Sequence, residues 1–108
     1  MIENRTMCLE ILKALGDDTR LSIMERLSKQ ELCACEIQES LELDIAQSSL
    51  SYHMKILTEA GVVSTTKEGK WTRYAIDGEK LKQVQALIDA LIIEKSFSES
   101  EATYKCRC

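Results

Sequence analysis

The chain has 108 residues, 44% of them hydrophobic, which allows one domain with a core but hardly two; a domain this small gains stability by oligomerising. No apolar run approaches the roughly 20 residues of a membrane span, and the first ten residues lack the apolar core of a secretory signal, so we expect a cytoplasmic protein without membrane contacts. The net charge of −4 disfavours nucleic-acid binding for the chain as a whole, but residues 46–73 carry four basic and only two acidic side chains.

The first half of the chain predicts four helices from the helical spacing of its apolar residues. A helix over residues 7–15 ends at Gly16, and residues 17–19 supply the N-cap of a second helix. A short third helix covers about 33–42, and a fourth covers 46–60 and ends at Gly61. The predicted inward faces are Met7, Ile11, Leu12 and Leu15 in the first helix, Leu21, Ile23, Met24 and Leu27 in the second, Ile37 and Leu41 in the third, and Leu50, His53, Met54 and Leu57 in the fourth.

The second half predicts a hairpin and one more helix. Strand-like runs at 62–66 and 72–76 are joined by residues 67–70, which contain the glycine that a tight turn needs. The last helix covers roughly 79–95, and eight of its ten residues from 84 to 93 are apolar. One small domain buries only one stripe of such a helix, so a homodimer built from the first and last helices is expected. The predicted fold is mainly α with a small β-hairpin wing, a winged helix-turn-helix in the order α-α-α-α-β-β-α.

Five segments in unbroken order over about residues 10–77 resemble the ArsR–SmtB family of metal-sensing repressors. They are LKALGDDTRL (12–21), ELCACEI (31–37), QSSLSYHMKIL (47–57), AGVV (60–63) and EGKW (68–71). The ELCAC sequence is similar to the arsenic/antimony and cadmium/lead branches. The resemblance implies a dimeric repressor that leaves its operator when cysteine thiolates bind a soft metal or metalloid. Two departures matter: Gln38 stands where the best-known arsenic sensors have a third cysteine, and the last helix lacks the histidine and paired carboxylates of the zinc-sensing branch.

The fourth helix is then the expected recognition helix, and the hairpin is the expected wing. Glutamine can bridge adenine, serine and tyrosine hydroxyls can bond bases or phosphates, and lysine supplies charge for the DNA backbone. A packed position at the core edge for His53 and a solvated turn for the wing cations are the alternatives. The candidates for contact with double-stranded operator DNA are Gln47, Ser48, Ser49, Ser51, Tyr52, His53, Lys55, Lys67, Lys70 and Arg73.

The five cysteines are the candidate inducer ligands, because soft thiolates select As(III), Sb(III), Cd(II) or Pb(II). Cys33 and Cys35 are two residues apart, and such positions do not face each other on a regular helix. They can therefore share an ion only if the first turn of the third helix is irregular or unwinds, and neighbouring Glu31 and Glu36 are expected to raise their pKa values. Cys8 lies on the first helix, which is expected to be half buried at the dimer interface, and it either fills the core or supplies a ligand.

A second C-x-C sequence, Cys106 and Cys108, ends the chain. Residues 98–108 are predicted to form a flexible tail after a DNA-binding and dimerisation domain at 1–97. Lys105 and Arg107 would favour thiolates there, so Cys33, Cys35, Cys106 and Cys108 are the predicted metal ligands.

The leading hypothesis is a repressor, not an enzyme, that has no organic cofactor and responds to As(III) or Sb(III). A Cd(II)/Pb(II)-responsive repressor and a thiol redox or persulfide sensor of the same fold are the alternatives. A thiol oxidoreductase is disfavoured because neither cysteine pair is C-x-x-C, and a winged-helix module for protein partners would show no salt-dependent DNA binding.

Overall fold

The computed structural model describes residues 4–40 and 45–101, with side chains for residues 4–39 and 45–92. The elements are α1 (Arg5–Leu15), α2 (Asp18–Leu27), β1 (Leu32–Cys33), α3 (Ala34–Ser40), α4 (Gln47–Glu59), β2 (Val63–Glu68), β3 (Trp71–Ile76) and α5 (Gly78–Glu101). This mainly helical arrangement with a β2–β3 wing confirms the predicted winged helix-turn-helix. The sequence did not predict β1, which makes the wing part of a three-stranded antiparallel sheet in the order β1-β3-β2.

The helix boundaries follow from capping groups in the sequence. Asp17 is the N-cap of α2, and its carboxylate accepts a hydrogen bond from the Arg20 N–H at 3.1 Å, as predicted. After α4, Gly61 has φ 88° and its N–H bonds to the Thr58 carbonyl, while the Val62 N–H bonds to the Leu57 carbonyl. These two bonds form a Schellman motif, which requires the left-handed conformation that glycine adopts without strain.

The core lies between α1, α2, α3, α4 and the base of the wing. The predictions that Leu12 and Leu21 face the core are wrong, because both side chains are exposed. In α1 the buried face is centred on Cys8, Ile11 and Ala14, so Leu12 lies to one side of it. The buried hydrophobic residues are Cys8, Ile11, Ala14, Ile23, Met24, Leu27, Leu32, Cys33, Ile37, Leu50, Met54, Leu57, Val62, Val63 and Val84.

The wing is longer than predicted and its turn is shorter. The β2–β3 register runs from Val63↔Ile76 to Glu68↔Trp71, which leaves a two-residue loop. Gly69, the first loop residue, has φ 62°, as the first central position of a type II′ turn requires. Beyond Val63, every β2 side chain is exposed, so the tip of the hairpin projects from the core.

Helix α5 begins one residue before the predicted start and extends to Glu101, beyond the predicted end at 95. The Asp77 carboxylate accepts hydrogen bonds from the N–H groups of Glu79 and Lys80, and this N-cap was not among the predicted ones. Helix α5 packs against α1, where the Asn4 side-chain amide donates to Gln83 Oε1 at 2.7 Å.

Among the residues described, no helix combines the length and apolar composition of a membrane span. The predicted inward residue Leu41 and the cysteines of the 98–108 segment lie outside the described side chains. The division of the chain at residue 97 therefore stays a prediction.

Candidate DNA-binding surface and cysteine pair

Helix α4 presents a continuous polar surface because its apolar residues recur on one side only. Leu50, Met54 and Leu57 are buried against the core. The candidate DNA contacts on the opposite side are exposed, namely Gln47, Ser48, Ser49, Ser51, Tyr52 and Lys55. The Lys55 ammonium lies 4.0 Å from the Glu59 carboxylate in an exposed pair, a contact that contributes little and leaves the lysine available to another anion.

His53 lies at the core edge, between the polar and apolar sides of α4. Its Nδ1 is 3.1 Å from Arg20 Nη1 and 3.9 Å from Asp17 Oδ2, both at the start of α2. Arg20 Nε also donates to the Ala14 carbonyl at the end of α1. The hydrogen bond from the Arg20 N–H lowers the pKa of Asp17 below the ordinary value of an aspartate, and the charges of Arg20 and His53 lower it further. This geometry matches the packed alternative for His53, which ties α4 to α2, and a DNA contact for it stays a prediction.

The wing lies beside α4, so the predicted helix and hairpin surfaces meet. Ser51, Lys55 and Thr58 of α4 line one open groove with Thr65 and Tyr74 of the wing. Two of the three wing cations, Lys67 and Lys70, are exposed near the tip. The third, Arg73, is half-buried, and its Nε lies 3.9 Å from Glu31 Oε1. Arg73 thus lies beside the segment that leads into β1.

Cys33 and Cys35 occupy a junction between a strand and a helix. Cys33 ends β1 and Cys35 is the second residue of α3, and their sulfur atoms are 3.6 Å apart. The prediction that Cys33 belongs to the third helix is wrong, since Cys33 ends β1. The approach of the two sulfurs agrees with the expectation that the pair meets only where the start of this helix is irregular. Because the backbone changes from strand to helix between the two residues, both sulfurs already lie on one side. Cys33 is buried and Cys35 is exposed, so the pair opens to solvent through Cys35.

The pKa of the Cys35 thiol is raised, as predicted, but by other groups than those expected. The hydrogen bond with Cys33 is the main cause, followed by partial burial and by the charges of Cys33 and Glu39. Glu36 instead accepts a hydrogen bond from the Cys33 N–H at 2.9 Å. That bond, a further contact with the Cys33 side chain and the nearby Arg73 charge keep the pKa of Glu36 below its usual range.

The structure places the other potential ligands apart from this pair. Cys8 is 1% exposed within the core of one protomer, which matches the core-filling alternative for this residue. Gln38, in the position of the third family cysteine, donates to the Ile45 carbonyl at 3.1 Å and thereby joins α3 to the segment before α4. Within residues 4–39 and 45–92, no three His, Cys, Asp or Glu side chains gather closely enough to hold a metal ion. Cys106 and Cys108 lie outside the described residues.

Comparison with known proteins identifies the family. The sequence profile of the bacterial regulatory protein, arsR family, matches residues 17–65. An arsenical resistance operon repressor of Staphylococcus xylosus is 38% identical over 81 residues, which are 75% of this chain and 76% of that protein. The chain belongs to the arsR family. A cadmium resistance transcriptional regulatory protein, a CadC homolog of Staphylococcus aureus, is 36% identical over 89 residues, covering 82% of this chain and 65% of that protein.

The fold of the arsR family also recurs among solved structures. An ArsR-like transcriptional regulator from Rhodococcus sp. RHA1 superimposes with a TM-score of 0.77 over 94% of this chain and 99% of that one, at 19% identity. Helix-turn-helix regulators of the arsR family bind DNA, so this chain is a DNA-binding transcriptional regulator. The matched residues 17–65 include α2, the cysteine pair and α4, whereas α5 lies beyond them.

Proposed function

We propose that this arsR-family chain is a homodimeric repressor that binds double-stranded operator DNA and leaves it when Cys33 and Cys35 bind As(III) or Sb(III). The observation that carries the proposal is the 3.6 Å separation of the two sulfurs at the junction of β1 and α3. Strand β1 pairs with the wing strand β3, and α3 packs against α4. An ion held at this junction therefore contacts the supports of both proposed DNA-binding elements.

Base recognition is assigned to the exposed side of α4. Gln47, Ser51 and Tyr52 have hydrogen-bonding groups that suit base edges or phosphates in the major groove. Lys55 on the same helix, with Lys67 and Lys70 on the wing, supplies the phosphate contacts. Ser48 and Ser49 lie in the first turn of α4, and we assign them to contacts with the adjacent sugar-phosphate backbone of the DNA. With these assignments, α4 determines the preference for a DNA sequence, and the wing accounts for most of the salt dependence of DNA binding.

A second copy of the chain is the proposed partner of α1 and α5. Ile88, Leu91 and Ile92 recur at i, i+3 and i+4 on α5 and are exposed, and Leu9 and Leu12 are exposed on the helix packed against it. Apolar residues at this spacing favour burial against another helix. A two-fold dimer covers the same surface on both protomers and presents two recognition helices to two half-sites.

Arsenic chemistry suits a pair of protonated thiols. Each thiol replaces one hydroxyl group of arsenous acid: the S–H and As–O bonds break, an S–As bond forms, and the proton leaves with the hydroxyl as water. As(III) takes up to three sulfurs in a pyramid, and the cysteine pair supplies two. Cys106 or Cys108 is the proposed third donor, because Gln38 occupies the family position of a third cysteine and Cys8 is enclosed in the core.

Cd(II) is the second candidate inducer. The cadmium resistance regulator named above supports it, and thiolates bind Cd(II) as well as As(III). Unlike arsenous acid, Cd(II) carries no hydroxyl groups to take up the thiol protons, so its binding releases them to solvent. The two candidates therefore differ in their pH dependence.

The experiment follows operator release by fluorescence anisotropy, using labelled DNA from immediately upstream of the gene. Arsenite should dissociate the reduced wild-type protein, while Cys33→Ser and Cys35→Ser should bind DNA normally and stay bound. Cys8→Ala is the matched control, since it removes a buried thiol outside the pair and should still respond. Release that persists in the double variant Cys33→Ser/Cys35→Ser would refute the assignment of the pair.

A further inference from the structure

Cys33 and Arg73 are direct neighbours in the sheet. They are register partners in the antiparallel pairing of β1 with β3. Directly opposed residues of such a pair project from the same face, with their Cβ atoms about 5 Å apart. Arg73 is also paired with Thr66 of β2, so it lies in the middle strand of the sheet. The backbone of the wing is thereby joined to the backbone of one of the two thiol residues.

The charge of Arg73 is directed toward the cysteine junction. Its Nε is 3.9 Å from Glu31, which immediately precedes β1, and its charge also acts on Glu36. Arg73 is half-buried, unlike the exposed lysines at positions 67 and 70. The Arg73 guanidinium thus lies near residues 31–36, which contain both cysteines, whereas the exposed lysines of the wing do not.

Glu36 connects this charge to the sulfur of Cys33. Cys33 is the N-cap of α3 and Glu36 is the third residue of that helix, and the carboxylate accepts from the Cys33 N–H, which is one half of a capping box. The Glu36 side chain also contacts the Cys33 side chain. When the thiols are replaced by S–As bonds, their S–H donors are lost and a larger atom occupies the junction. The Glu36 carboxylate then loses its contact with the Cys33 thiol and keeps only the hydrogen bond from the Cys33 N–H.

We infer that Arg73 is a positioning residue that transmits inducer binding from Cys33 to the wing. Displacement of the Glu36 carboxylate changes the electrostatic partners of Arg73, and because Arg73 belongs to β3, its movement reorients the hairpin relative to α4. The inference deepens the proposed function and rests on it. It also separates Arg73 from the wing lysines: a phosphate contact affects all DNA binding, whereas a positioning residue affects the difference between the inducer-free and inducer-bound proteins.

The test measures operator affinity with and without saturating arsenite, and arsenite affinity with and without operator DNA. By linkage, these two ratios must agree, and couplings of this kind are typically about 5- to 150-fold. Arg73→Gln should reduce both ratios by about tenfold or to near unity. Glu31→Gln removes an exposed partner of Arg73; it should reduce both ratios in the same direction and leave inducer-free operator affinity unchanged. Lys67→Gln is the control: it should weaken DNA binding with and without arsenite alike and keep the ratios.

Each result decides between the assignments. A wild-type protein that does not respond to arsenite refutes the proposed function and the inference together. A responsive wild type with undiminished ratios in Arg73→Gln refutes only the role of Arg73, and an equal loss of affinity in both states makes Arg73 a phosphate contact. If Arg73→Gln does not fold, Glu36→Gln replaces it, since glutamine can still accept from the Cys33 N–H but lacks the charge that acts on Arg73. Undiminished ratios in that variant overturn the inference.

Discussion

Replacing Leu91 removes one of the most exposed apolar side chains of α5 and tests the proposed dimer. The side chain is 60% exposed in the single chain, and complete burial of a leucine contributes about 1.5–3 kcal/mol. Burying the exposed part of Leu91 in an interface contributes about 1–2 kcal/mol per protomer to the free energy of dimerisation. A two-fold dimer buries this side chain in both protomers, which gives about 2–4 kcal/mol. Leu91→Ala should therefore weaken dimerisation by roughly 30- to 900-fold. Leu91→Glu should weaken it further, because a carboxylate must lose its hydration at the interface.

Sedimentation equilibrium over a range of concentrations measures this change, and far-UV circular dichroism checks that each variant remains folded. Leu21→Glu is the matched control, since Leu21 is 47% exposed but lies on α2. A folded Leu91→Glu variant that dimerises as tightly as the wild type would refute the assignment of α5. Equal dissociation by Leu21→Glu would show that the effect is not specific to the α1–α5 surface.

The DNA and inducer sites give four further predictions. Gln47→Ala and Tyr52→Ala should each weaken operator binding by about 1–3 kcal/mol in anisotropy titrations, with less effect on an unrelated duplex; unchanged operator affinity would exclude base contacts. Lys70→Ala should weaken binding to all sequences and flatten the dependence of log K on log salt by about one unit, so an unchanged slope would contradict a phosphate contact. Deletion of residues 104–108 should leave DNA binding intact and raise the arsenite concentration needed for release, whereas an equal response would make the tail cysteines unnecessary. Because the pKa of Cys35 is raised, the thiol stays protonated at neutral pH, so Cd(II)-driven release should strengthen from about pH 6 to 8 while arsenite-driven release changes little; equally steep profiles would contradict this reasoning.

The sequence predicted the larger elements well because each one carries a repeated signal. The starts of α1, α2 and α4 lie within two residues of the predicted ones, and Asp17 and Gly61 mark ends that the structure confirms. Strand β1 could not be predicted in this way, since two residues are too few to show alternation. Its pairing with β3 depends on tertiary contacts.

The candidate site was predicted by residue type but not by geometry. The C-x-C spacing identified Cys33 and Cys35, but the 3.6 Å approach of their sulfurs depends on the change from strand to helix. The partner of His53 is Arg20, which is 33 residues away in the chain. Glu36 was expected to raise the pKa of the thiols by repulsion, whereas it accepts a hydrogen bond from the Cys33 N–H. The roles of His53 and Glu36 depend on the orientation of their side chains, which the tertiary structure determines.

The reduced cysteine pair has properties that favour As(III) over an oxidant or Cd(II) as the proposed inducer. Thiolates are the nucleophiles in disulfide chemistry, and the raised pKa of Cys35 keeps this exposed thiol protonated and slow to oxidise. The same raised pKa penalises Cd(II), which must displace protons into solvent. Arsenous acid avoids that penalty because its own hydroxyls leave with the protons as water. The two sulfurs are already 3.6 Å apart. They can therefore occupy two of the three ligand positions around As(III) with little rearrangement. The raised pKa of Cys35 and the short distance between the two sulfurs thus both favour the proposed reaction with arsenous acid.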